Sequence, residues 1–177
     1  AVIAAVGAQP VIPPIPGAKG ENVTVATDAI MHSEKIGQNV GGSGGGGVGV
    51  ETGMVLAQQG KNVTVIEMRD QLAADTTVMH YRSMFTDAWE AITTFHYVLN
   101  ATAKEIAADH VTDTDKDGVE HDLPAEAVIL SVGMRSKTDE ALSFYGTNPG
   151  FYMVGDCRKP GTIQTTNRSA YVTASNI

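Results

Sequence analysis

Cysteine is nearly missing from this sequence: Cys157 stands alone among 177 residues. One thiol excludes an internal disulfide, a Cys-x-x-Cys redox pair and a cysteine-rich metal site. Positive charge is also scarce. Twelve Lys and Arg face twenty Asp and Glu, a formal net charge of −8. Nucleic acid and anionic membrane therefore find no electrostatic support. The apolar opening "AVIAAVGA" is too short to span a bilayer and has no basic residue ahead of it. It reads as a buried strand. No secretory signal is visible, so the sequons at Asn22, Asn62, Asn100 and Asn167 carry little weight, and a cytoplasmic location is expected. The five histidines, His32, His80, His96, His110 and His121, lack metal-ligand spacing. "DTDKDG" resembles the start of a calcium loop. Its twelfth position, counted from Asp113, is Pro124 where a bidentate glutamate is needed. It reads as a hairpin turn, and no metal is expected.

What is present is an alternation of strand and helix patterns. "AQPVIPPIPGAKG" carries Pro10, Pro13, Pro14 and Pro16 and reads as an extended connector and domain border. "NVTVA" is a short strand. A helix is expected over about 47–59, ended by Gly60. "KNVTVIE" is a β-branched strand closing at Glu67. Tyr81, Phe85, Trp89 and Ile92 recur at helical spacing and read as core. "YVLNATAKEI", "AEAVILSVG" and "GFYMVGD" read as strands, and "TIQTTNRSAYVTASNI" as a helix. The pattern predicts an α/β fold: a Rossmann-like unit with a mainly parallel sheet and one β-hairpin or meander excursion. The chain opens inside a strand and stops inside a helical pattern, so a fragment of a longer protein is expected.

"NVGGSGGGGVGVETG", Asn39 to Gly53, admits two readings. "GGSGGGG" resembles a flexible linker in a scaffold that binds nothing. Gly44, Gly46 and Gly49 fit the G-x-G-x-x-G turn of a dinucleotide site. There the first glycine makes the turn, the second admits the pyrophosphate, and the third lets helix pack on strand. The helix N-terminus would offer N–H groups and a positive dipole end to the phosphates. Glu67 ends the next strand, where a carboxylate accepts the ribose hydroxyls and disfavours a 2′-phosphate. That favours NADH over NADPH, a preference Arg69 would soften. Against this, "VGGS" offers only Val40 as a strand-like residue, and three apolar side chains are expected to be missing from the sheet centre. The flanks favour the fingerprint.

Four ordered motifs carry a resemblance that covers nearly the whole chain: "VIAAVGAQPVIPPIPG", "GGGGVGVETGMVLAQQGKNVTVIEM", "LPAEAVILSVGMRS" and "FYMVGDC". Together they resemble the C-terminal FAD/NAD(P)H-binding region of the NADH:flavin oxidoreductases of the old-yellow-enzyme type. That family includes 2,4-dienoyl-CoA reductase and 2-enoate reductase. The resemblance implies that residues 1–20 end a first FAD-domain segment, 21–147 form the NAD(P)H domain, and 148–177 begin a second FAD-domain segment. It implies hydride transfer from NADH (or NADPH) to FAD and onward to an enoate-type substrate in the full-length enzyme. FMN, an iron–sulfur cluster and the FMN barrel would lie in a missing N-terminal part.

Residue by residue, the resemblance assigns Gly44, Gly46 and Gly49 to the pyrophosphate turn and Glu67 to the ribose. It places Glu51 near the nicotinamide–flavin junction and Gly133 at a strand end bordering the nucleotide. Gly155 and Asp156 match the "GD" that contacts FAD. Glu51 is equally well a helix-start carboxylate favoured by the dipole, and Asp156 could cap a turn. Departures are "GGS" at 41–43, "AVG" at 5–7 and "MRSK" at 134–137. No side chain here is expected to be catalytic, because the cofactors carry hydride chemistry, and the fragment alone is expected to be inactive. The rival functional reading is a non-catalytic NAD(H)-binding redox-sensing module, which would have no need of "FYMVGDC".

Overall fold

The computed structural model describes residues 1–75 and 79–177, the side chains of 79–82 excepted. The chain divides into two compact units: Ala1–Val11 with Gly133–Ile177, and Ile12–Val132. The elements of the first unit are β1 (Val2–Ala4) and β2 (Ala8–Pro10). Those of the second begin with β3 (Val23–Val25), α1 (Ala26–Met31), β4 (Asn39–Ser43), α2 (Gly47–Gln58) and β5 (Asn62–Glu67). They continue with α3 (Met79–Glu90), β6 (Phe95–Leu99), β7 (Ala101–Ile106), β8 (His110–Asp115), β9 (Glu120–Pro124) and β10 (Ala127–Leu130). The chain then returns to the first unit with β11 (Met134–Ser136), α4 (Thr138–Leu142), β12 (Phe151–Met153) and α5 (Ile163–Ala174).

In the larger unit, a five-stranded sheet runs β3-β10-β4-β5-β6, and all four pairings are parallel. A three-stranded antiparallel sheet, β7-β8-β9, is the meander excursion. The α/β fold with a parallel sheet and antiparallel hairpin strands is the one the alternation predicts. β10 is buried at every position, as a central parallel strand should be. α2 ends at Gln58, and Gly60, just past the capping residue Gln59, has the φ of +90° that suits a helix stop. Trp89 is buried and Phe85 and Ile92 pack against the same core, while the side chain of Tyr81 lies outside the described residues.

The linker reading fails at β4. "NVGGS" is the middle strand of the sheet, laddered to β10 on one side and β5 on the other. Its glycines do not leave the sheet thin, because neighbours fill the space. A Cβ on Gly41 would lie 3.2 Å from both Ala125 Cβ and Val111 Cγ2, and one on Gly42 would lie 3.3 Å from Val65 Cγ2. The expectation of missing packing is thus corrected. What remains beneath the turn, bordered by Gly42, Thr52 and Val65, is a void of about 10 Å³, at most one water in size. Valine at 41 or 42 should therefore destabilise the fold by about 1–3 kcal/mol through overpacking. A lowered urea midpoint would show this; a raised one would mean the strand was short of apolar volume after all.

"YVLNATAKEI" is two strands in two sheets. Asn100, at φ +54°, breaks it between β6 and β7; asparagine enters this region more readily than most residues. α1 has no counterpart among the sequence patterns. Of "DTDKDG", 113–115 finish β8 and 116–118 form the hairpin turn, where Asp115 Oδ1 accepts the N–H groups of Asp117 and Val119, both at 2.9 Å.

In the smaller unit, β1 pairs with β12 in parallel, Val2 opposite Phe151 and Ala4 opposite Met153. The two segments, far apart in sequence, are adjacent strands. β2 pairs with β11 antiparallel. The unit borders fall at 11/12 and 132/133. Two packing facts explain this. Residues 15–18 belong to the larger unit: Ile106 N–H donates to Pro16 O at 2.9 Å, and Ala18 is buried there with Ile106. Residues 134–142 belong to the smaller one, through the β2·β11 pair and Ala141, buried with Ala4 and Cys157. Among the described residues, no helix is long and apolar enough to cross a membrane.

Candidate functional site

The site is built where β4 meets α2. Gly44 leaves the strand at φ +101°, and a Cβ there would sit 2.5 Å from Ser131 O. Only glycine meets both conditions. Gly46 is the N-cap of α2 and has no side chain to cap with. Gly49, within the first turn, is buried; a Cβ would lie 1.9 Å from Gly44 O. The helix therefore packs directly on the turn, the task assigned to the third glycine.

Glu67, at the end of β5, is 7% exposed and reaches the turn. Its Oε2 accepts the Gly45 N–H at 2.6 Å and its Oε1 the Arg69 N–H at 2.8 Å. Each carboxylate oxygen has a second lone pair left for a further donor. Gly44, Gly46, Gly49 and Glu67 are thus brought together. Arg69 is exposed, and its backbone oxygen accepts from Asn100 N–H at 2.9 Å. Glu51 is exposed on α2, just past the first turn.

The other sequence-derived site residues lie in the smaller unit. Gly133 has φ +111° with open space where a Cβ would be, and its carbonyl accepts Val11 N–H at 3.0 Å. Gly155 has φ +68° and donates its N–H to Ser169 Oγ at 2.9 Å. Asp156 Oδ1 accepts Thr166 Oγ1 at 3.1 Å, and its backbone oxygen accepts Ser136 Oγ at 2.8 Å. Cys157 is fully buried, its thiol 3.3 Å from Ala4 O and 3.1 Å from Val154 O. It is a packed thiol. Among the described residues, no cluster of three or more His, Cys, Asp or Glu is placed to hold a metal.

Two further acidic residues join the picture, and the sequence assigns neither of them a buried or turn-holding role. Asp75 Oδ1 accepts the Gly47 N–H at 3.0 Å, eight positions beyond Glu67 and in no motif. Asp113, on β8, is 3% exposed, and its Oδ1 has no hydrogen-bond partner among the described residues. Burial pushes its carboxyl above the usual range, opposed by His121 and reinforced by Asp115 and Asp122. A carboxyl whose folded pKa is raised contributes stability that is complete below the unfolded value and lost as pH rises through the folded one. At neutral pH the charge is therefore a cost. Asp113→Val should stabilise the fold by about 1–3 kcal/mol at pH 7, and the gain should shrink as falling pH protonates the carboxyl. Denaturation midpoints at neutral and acidic pH test this; a variant weakened at pH 7 would show that the carboxylate has a stabilising partner.

The family model for pyridine nucleotide-disulphide oxidoreductases matches residues 1–171. A metal reductase of Desulforamulus reducens is 30% identical over 96% of this chain and 29% of its own length. A cinnamate reductase of Clostridium sporogenes is 30% identical over 99% of this chain and 26% of its own. The solved 2-naphthoyl-CoA reductase complex superposes with a TM-score of 0.90 at 25% identity, over 99% of this chain and 26% of that one. The chain spans little more than a quarter of these relatives. The disulphide of the family's name has no counterpart within a chain whose one cysteine is buried. The fold, the glycine turn with Glu67 and the match over 171 residues identify the chain as a member of the pyridine nucleotide-disulphide oxidoreductase family.

Proposed function

We propose that this chain is the NADH-binding portion of a flavin-dependent oxidoreductase of the NADH:flavin oxidoreductase group. The full-length enzyme would use FAD, FMN and an iron–sulfur cluster to reduce an enoate-type substrate. The observation that carries the reading is the joint geometry of the turn: Gly44 and Gly49 admit no Cβ, and Glu67 is bonded to the turn's own backbone. That cradle suits a dinucleotide, whose phosphates seek backbone N–H groups at a helix N-terminus. In this reading, unit 12–132 holds NADH, with Gly44, Gly46 and Gly49 at the pyrophosphate and Glu67 at the ribose. Arg69 would soften the preference for NADH, and Glu51 would lie near the nicotinamide–flavin junction. The cinnamate and naphthoyl-CoA reductases support an unsaturated acid or thioester as final acceptor.

The smaller unit is assigned to the FAD domain. The β1·β12 pair favours this over a free-standing NAD(H) sensor, which has no use for a second sheet. Gly133, Gly155 and Asp156 would border the cofactors there. The fit to FAD is partial, because the Gly155 N–H already serves Ser169. Asp156 retains acceptor capacity beyond Thr166, but one edge cannot repay the entropy of holding a large cofactor. Bound nicotinamide supplies the hydride, and these residues only bind and orient. The purified chain should accordingly bind NADH in a calorimetric titration while remaining colourless and inactive toward dyes and enoates. Absence of NADH binding would overturn the assignment; yellow protein would overturn the partial-site argument.

A further inference from the structure

α2 has no acidic residue in its first turn, and its N-cap, Gly46, has no side chain. A carboxylate nevertheless lies at that helix end. Asp75 Oδ1 accepts the Gly47 N–H at 3.0 Å. A Cβ on Gly46 would lie 3.1 Å from Asp75 Oδ2 and 3.4 Å from Oδ1, so both oxygens lie beside the turn. The segment carrying Asp75 is docked onto the same turn. Ala73 N–H donates to Gly45 O at 2.7 Å, and Ala73 is fully buried with φ +49°. Leu72 is buried against Gly45.

We propose that Asp75 is a built-in competitor for the nucleotide's phosphates, so that NADH binds only as the Asp75 carboxylate leaves the Gly47 N–H. This rests on the nucleotide-site reading above. The two carboxylates at the turn divide the work. Glu67 is buried and holds Gly45 from below, where it can stay while a ligand binds. Asp75 is exposed and can swing into water. It holds an N–H at the positive end of the helix, the place where backbone donors and dipole both favour an anion. A phosphate oxygen and a carboxylate cannot share that donor without like-charge repulsion. Asp75 therefore sets nucleotide affinity, and it does so only for ligands that bring a phosphate.

The test is a titration of the whole chain, wild type and Asp75→Asn, with NADH, inorganic pyrophosphate and adenosine. The substitution removes the negative charge at nearly constant shape. Asp75→Asn should therefore bind NADH and pyrophosphate about tenfold more tightly, as expected for one charge-assisted contact. Adenosine, followed by amide NMR shifts, should bind the two proteins equally. Asp75→Ser should give the same result and guards against a folding defect in the first variant. If NADH binds wild type and both variants alike, or the variants more weakly, Asp75 is no competitor. If adenosine gains as much as NADH, the effect comes from loop order and not from the phosphate, and the proposal falls. If none of the three proteins binds NADH, the nucleotide-site reading fails and this inference with it.

Discussion

Gly49→Ala should remove measurable NADH binding and lower the stability of the larger unit, both in one substitution. The new Cβ would stand 1.9 Å from Gly44 O, 3.0 Å from Gly44 C and 3.2 Å from Ser131 Cβ. The first two atoms are backbone, so no rotamer change relieves the contact. Gly44 cannot retreat either. Its own Cβ position is 2.5 Å from Ser131 O, and its N–H donates to Ile66 O at 3.0 Å. α2 must therefore lift off the turn, carrying Val50, Met54 and Leu56 with it from the core. Overpacking costs about 1–3 kcal/mol and sometimes more, and a rigid backbone clash belongs at the top of that range. Gly46→Ala is the control. The nearest atoms to its Cβ are those of the Asp75 carboxylate, the first at 3.1 Å, an exposed side chain that can move. A urea midpoint that falls for Gly49→Ala and holds for Gly46→Ala supports the packing argument. Equal midpoints would mean that the helix sits further from the turn than 1.9 Å implies.

The parts of this site that are legible in the sequence are the local ones. The glycine spacing, the helix start at Gly47, the stop at Gly60 and the strand ending at Glu67 each depend on residues a few positions apart. β4 misleads because its packing is remote. Gly41 and Gly42 look empty until Val111 and Ala125, on the hairpin side, and Val65 are seen filling the space. Asn100 is hidden for a related reason: nothing in "YVLNATAKEI" shows that its two halves join different sheets. Asp75 has no signal at all. Its meaning comes from one backbone N–H 28 positions earlier, and no periodicity links a loop carboxylate to a helix start. Asp113 reads as part of a polar turn because strand alternation around it is weak, yet it faces inward with Val111.

Glu67→Ala should weaken NADH binding about tenfold or more and narrow the preference for NADH over NADPH. Two effects act together, and the structure separates them. The first is loss of the turn's support: the Gly45 and Arg69 N–H groups lose the carboxylate that holds them at 2.6 and 2.8 Å. Hydrogen bonds to a charged group are worth about 1.5–3 kcal/mol each, so stability should fall as well, visible as a lower thermal midpoint. This effect is blind to the 2′ position and would weaken NADH and NADPH by the same factor. The second is loss of the ribose acceptor, which penalises NADH more because NADPH keeps only the 3′-hydroxyl, together with loss of the negative charge that repels a 2′-phosphate, which favours NADPH alone. The ratio of the two affinities, measured by calorimetry, therefore isolates the ribose role from the structural one. Glu67→Gln sharpens the comparison: it keeps an acceptor oxygen for one backbone N–H and removes the charge. It should lose less stability than Glu67→Ala while narrowing the NADH preference to a similar degree. If stability falls but the ratio does not move in either variant, Glu67 only braces the glycine turn, and the ribose hydroxyls are held by another group.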